Sequence, residues 1–136
     1  MTRGTEVSRF PCTRGSVHAA RHFVQEQLGA DDGLIEAMVL VSELTANAVE
    51  HAQTEFEIAA EMDGGVIHVQ VRDWAPDRAP QLQHDHTGPS GRGLHIVDVT
   101  ADEWGWEVDG DSKIVWFRMG IDRHWPDVSG DDLGQP

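Results

Sequence analysis

The repeat of apolar residues changes at about residue 52, and that change restricts the chain to helices layered on a sheet. Before it, Val17, Ala20, Val24 and Leu28 with Phe23 beside them, and then Leu34, Ile35, Met38, Val41, Leu44, Thr45 and Ala48, form two helical stripes. After it, Phe56, Ile58, Ala60 and Met62 alternate with Glu55, Glu57, Ala59 and Glu61, and Ile67, Val69 and Val71 alternate with His68, Gln70 and Arg72. Asp63-Gly64-Gly65 between these runs supplies the positive backbone angles of a hairpin. Helical stripes and a sheet with one polar face bury their apolar sides against each other.

Local signals set the boundaries. Ser16 is an N-cap candidate for a first helix running to about Leu28 and ended by Gly29; Asp31-Asp32 open a second that runs to about Ala52. Glu6 to Phe10 reads as a short extended segment stopped by Pro11. From Trp74 to Ser90 no period is present, and a stretch this long inside a small domain is usually functional or disordered. Gly91-Arg92-Gly93 leads into a short apolar helix, Leu94 to about Ala101, followed by a hairpin of Trp104–Val108 and Ile114–Met119 around Asp109-Gly110-Asp111. The expected architecture is an α/β (α+β) two-layer sandwich: a mostly antiparallel mixed sheet of four or five strands with three helices on one face. Residues 6–121 form one domain, and 122–136 an acidic flexible tail.

Charge narrows the function. The 136 residues carry 24 acidic against 10 basic side chains, a formal charge of −14, which repels nucleic-acid phosphates and suits a protein partner with a basic surface. One cysteine, Cys12, excludes an internal disulfide, and no apolar run approaches the roughly 20 residues that span a bilayer. The reading is a soluble cytoplasmic protein that contacts neither membrane nor nucleic acid.

Three segments carry polar groups with a shared chemical theme. Glu43, Asn47 and His51 recur every fourth residue beside the apolar line of Leu40, Leu44 and Ala48, so a carboxylate and an amide stand one turn apart. That arrangement can hold a hydrated cation and polarise a hydroxyl next to it; taken alone, it reads equally as a solvated helix face. Asp73 ends a strand beside a turn, and Gly91-Arg92-Gly93 opens a helix whose free N–H groups favour an anion. His18 and His22 lack a third ligand for a metal, and His84-Asp85-His86 is a remote metal candidate because neighbouring residues in a loop converge poorly.

With these residues in order, the chain resembles the Bergerat-fold (histidine kinase-like) ATP-binding domains, and within them the small stand-alone bacterial anti-sigma-factor serine/threonine kinases. The resemblance spans about residues 9–119 and is carried by Ala20-Arg21-His22-Phe23-Val24, the run from Val41 to Ala52, Val69–Asp73, Gly91–Val97, Ala101–Gly105 and Lys113-Ile114-Val115-Trp116-Phe117. It implies ATP and Mg2+ as cofactors. Asn47 resembles the magnesium ligand and Glu43 the catalytic group that deprotonates the attacking hydroxyl or water. Asp73 resembles the carboxylate that accepts the adenine amino group. Gly91, Arg92, Gly93 and Leu94 correspond to the phosphate side, with Gln81–Ser90 as a lid, and Ala75 and Ile114 fall at positions flanking the base. His51 either closes the nucleotide site from the helix end or packs there.

The chain departs from the family pattern at two of these positions. Ala75 stands where a glycine or small polar residue is usual, and Ile114 where a threonine supports the adenine carboxylate, with Ser112 as the nearby hydroxyl. Both departures favour weak nucleotide binding. The function implied is that of an ATP-dependent serine/threonine kinase which holds a sigma factor and phosphorylates a small antagonist protein, a homodimer being compatible with the resemblance. The alternative is a non-catalytic, nucleotide-sensing protein-binding module.

Overall fold

In a computed structural model, residues 6–29, 34–79, 97 and 100–120 are described. Five strands, β1 (Val7–Phe10), β2 (Phe56–Asp63), β3 (Val66–Asp73), β4 (Glu103–Asp109) and β5 (Ser112–Gly120), form one sheet in the order β1-β2-β3-β5-β4. All four pairings are antiparallel, so the mixed character expected of the sheet is absent among the described residues. Two helices, α1 (Arg14–Leu28) and α2 (Ile35–Asn47), pack on one face, and α2 continues as a π-helical turn over Ala48–Ala52. Of the expected third helix, Val97 is buried and its carbonyl accepts the Ala101 amide at 2.9 Å; the rest of it lies outside the described residues.

Both hairpins are tighter than the expected boundaries. Asp63 pairs with Val66 across Gly64-Gly65, whose φ values of 62° and 80° are the left-handed angles that a two-residue turn requires. Asp109 pairs with Ser112 across Gly110-Asp111, so β5 begins at Ser112 rather than Ile114. This difference of two residues decides which side chain meets Asp73.

The core lies between the inner sheet face and the helices. Ala20, Val24 and Leu28 of α1 and Ala37, Leu40, Val41, Leu44 and Ala48 of α2 and its π turn meet Phe56, Ile58, Ile67, Val69, Val71, Val115, Phe117 and Met119. The α1 stripe begins earlier than expected. Thr13 precedes the helix, and buried Ser16 sits inside the first turn, hydroxyl to hydroxyl with Thr13 at 3.0 Å. On α2, Ile35 is 68% exposed instead of buried, because the inward stripe runs through Leu34, Ala37, Leu40–Val41 and Leu44–Thr45 and leaves Ile35 on the opposite side.

The outer sheet face is polar, as an antiparallel sheet covered on one side only allows. Arg9 meets Glu57 at 2.7 Å and Glu55 at 2.8 Å, and Arg72 meets Asp109 at 3.1 Å. Exposed pairs of this kind contribute about 0–1 kcal/mol each, so stability rests on the inner face. No helix among the described residues is long and apolar enough to cross a membrane. Phe117→Ala is expected to cost about 3–5 kcal/mol, whereas Val7→Thr, at a position 59% exposed, should fall within about 0.5 kcal/mol of the parent. Urea unfolding followed by circular dichroism compares the two.

Candidate active site

Glu43 and Asn47 lie on α2 beside its buried stripe. Val41, Leu44, Thr45 and Ala48 point into the core, which leaves Ser42, Glu43, Ala46 and Asn47 half-buried along the helix flank. Glu43 and Asn47 therefore keep the one-turn spacing read from the sequence. Beyond Asn47 the helix widens: the Gln53 amide reaches back five residues to the Ala48 carbonyl at 2.8 Å, with Gln53 in the left-handed region at φ 62°.

The wider turn takes His51 off the straight line with Glu43 and Asn47. Its backbone carbonyl accepts the Arg78 guanidinium at 3.0 Å, while its Nε2 is enclosed and has no hydrogen-bond partner among the described residues. An enclosed, unsatisfied ring nitrogen costs free energy. It is suited to a polar ligand that reaches the helix end.

Asp73 is the last residue of β3 and only 3% exposed. One carboxylate oxygen accepts the Ala75 amide at 3.0 Å, which explains why Ala75 is itself buried beside it. The other faces Lys113 Nζ at 3.2 Å. Lys113 is equally buried, and its ammonium also donates to the Arg78 carbonyl. Burial is the largest influence on the Asp73 carboxyl and pushes its pKa up; the Ala75 amide and the Lys113 ammonium pull it down. Arg78 thus ties the Asp73–Lys113 pair to the end of α2 through the His51 carbonyl.

The register of β5 explains why lysine stands here. Phe56, Asp73, Lys113 and Val108 are successive cross-strand partners on β2, β3, β5 and β4, so all four side chains leave the same face. Ile114 pairs with Arg72 and projects from the opposite face, toward His68, Gln70 and Trp116. Ser112 shares that outer face, accepts a hydrogen bond from Arg72 and donates to the Asp109 carbonyl at 2.9 Å. The assignment of Ile114 to the base site is therefore corrected: the side chain against Asp73 is Lys113. Inward alternation back from Met119, Phe117 and Val115 is the sequence signal that finds it. Trp74 also turns outward, its ring 4.9 Å beneath the Arg9 guanidinium and its amide bound to Thr54 Oγ1 at 3.1 Å.

Gly91, Arg92, Gly93 and Leu94, together with the Gln81–Ser90 lid and His84-Asp85-His86 within it, lie outside the described residues. Within the described part, the network from Asp73 through Lys113 and Arg78 to His51 brings a strand end and a helix end together. The family profile of the histidine kinase-like ATPase domain matches residues 10–119. The chain belongs to this family. No curated protein matches it. Among solved structures, the crystal structure of the RsbU and RsbW domains of Rv1364c from Mycobacterium tuberculosis superposes with a TM-score of 0.61 at 20% identity, over 85% of this chain and 32% of that one. This likeness is one of fold, and the chain spans about a third of that larger protein.

The residues fit the nucleotide and cation that an ATPase domain of this family takes. A buried carboxylate at a strand end suits an exocyclic amine, and the enclosed His51 nitrogen has no partner among the described residues. The Asn47 amide oxygen is a hard donor appropriate to Mg2+. No group of three His, Cys, Asp or Glu side chains among the described residues could hold a metal.

Because its native pKa is raised, Asp73 holds its proton more tightly in the folded chain than in the unfolded one. Its contribution to stability is accordingly largest below the unfolded pKa and is lost as pH rises through the native value. The stability of the parent relative to Asp73→Asn should therefore increase on acidification through that window, read by urea unfolding at a series of pH values. A difference independent of pH would contradict the shift.

Proposed function

We propose that this ATPase-family domain is a protein serine/threonine kinase that binds a regulatory protein partner, in the manner of anti-sigma-factor kinases. The observation that carries the reading is the pairing of half-buried Glu43 and Asn47 on one flank of α2 with the buried Asp73 carboxylate at the end of β3. Asp73 accepts a hydrogen bond from the amino group of the base. Asn47 would hold, through its amide oxygen, the cation accompanying ATP, which would supply charge neutralisation at the phosphates. Glu43 takes the proton of a serine or threonine hydroxyl as that oxygen bonds to the γ-phosphorus and the bond to the β,γ-bridging oxygen breaks.

The partner supplies the hydroxyl, and the chain's excess of acidic residues favours a partner with basic surface. A sigma factor held in one nucleotide state and a small antagonist phosphorylated in the other would match the resemblance, with the exchange taking place in the cytoplasm. A second reading, a nucleotide-sensing binding module without turnover, is favoured by the ammonium already seated on Asp73.

Radiolabelled ATP, magnesium and a bacterial extract containing the partner separate these readings. Glu43→Ala should retain ADP binding and lose about a hundredfold or more in phosphoryl transfer. Asn47→Ala should lose magnesium-dependent nucleotide binding as well. Transfer that persists undiminished in both variants would overturn the hydroxyl-activating role of Glu43 and the cation-binding role of Asn47, and ADP binding without transfer by the parent would support the binding module.

A further inference from the structure

Asp73 is the residue offered above to the adenine amine, yet both of its oxygens are engaged. Oδ1 accepts the Ala75 amide and Oδ2 faces the Lys113 ammonium, with both side chains shut away from water. A neutral exocyclic amine is a weaker donor to a carboxylate than an ammonium is, since charge-assisted hydrogen bonds are about twice as strong as neutral ones. A base that takes the Oδ2 position therefore competes with the ammonium held there at 3.2 Å. Resting on the nucleotide-binding reading of this site, we propose that Lys113 is an internal occupant of the base-recognition carboxylate and sets a low affinity for adenine nucleotides.

The position of Lys113 is fixed from two sides. Its backbone is locked opposite Asp73 by the β3–β5 register, and its ammonium has a second acceptor in the Arg78 carbonyl. Arg78 is itself held by the His51 carbonyl at the end of α2. When Lys113 leaves Asp73, the contact that joins the loop after β3 to β5 loosens with it.

A purely structural lysine would neutralise the buried carboxylate and nothing more. The two roles differ in sign. Removing a structural counter-ion lowers stability and leaves nucleotide affinity equal or worse, whereas removing a competitor lowers stability and improves affinity. Opposite movement of melting temperature and affinity is the signature of the competitor.

The full chain is titrated with ADP and Mg2+ by calorimetry as parent, Lys113→Thr and Lys113→Gln. The glutamine, one atom shorter than lysine, keeps a neutral NH2 donor near Asp73 and is the second variant should the threonine variant fail to fold. Both variants are expected to melt lower without ligand and to bind ADP about tenfold more tightly, while inorganic triphosphate with Mg2+, which has no base, binds all three alike. In the parent, Lys113 is the only lysine of the chain, so its Nζ signal in 15N NMR is resolved without assignment. Saturating ADP should shift that signal and speed exchange of its protons. ADP affinity that is unchanged or weaker in the folded variants, or an Nζ signal indifferent to bound ADP, overturns the proposal. If ADP binds none of the three, the proposal falls, and triphosphate binding then decides whether the nucleotide-site reading falls with it.

Discussion

The pairing of β3 with β5 is the constraint on which the rest of the molecule depends. Eight successive cross-strand pairs run from Val66–Gly120 to Asp73–Lys113, and a slip of one residue would exchange the faces of an entire strand. In the observed register Ile67, Val69 and Val71 lie beside Met119, Phe117 and Val115 and present one apolar surface to α1 and α2. The same alternation, carried to the end of the ladder, delivers Asp73 and Lys113 to that surface. Core and site are thus set by one choice of pairing. The apolar pairs fix the register, and the ionic pair closes it.

A buried ion pair is a poor source of stability, because the cost of taking two charges out of water can exceed their attraction. Here the pair keeps additional hydrogen bonds from the Ala75 amide and to the Arg78 carbonyl, which reduce that cost. It also orients the loop after β3 toward the end of α2, where the π turn presents the His51 carbonyl.

Most of the fold was legible because the two periods are clean. The alternating runs of β2 and β3 and the stripe of α1 survive in the structure with small shifts at their ends. Glu43, Asn47 and Asp73 were legible as polar residues placed at regular points of apolar patterns. Lys113 was missed because a charged residue at a strand start reads as part of the turn, and only counting back from Met119 through Phe117 and Val115 gives its direction. The π turn was invisible: it rests on the left-handed conformation of Gln53, a residue with no special preference for it. Ile35 misled for the opposite reason, since an apolar residue near a helix start satisfies the stripe on paper but sits on the side that faces solvent.

The burial of Lys113 has a consequence for the surface. With the chain's one lysine in the interior, every other cationic side chain is an arginine. Side-chain contacts to a carboxylate or phosphate on a partner are therefore made by planar guanidinium groups, which favour paired, directional hydrogen bonds over a diffuse point charge. These charges persist at any physiological pH and cannot be removed by lysine acetylation. Reagents and enzymes that seek lysine amines find no exposed lysine on this protein, so its electrostatic surface, strongly negative with sparse arginines such as Arg9 and Arg118, is one that lysine modification cannot retune.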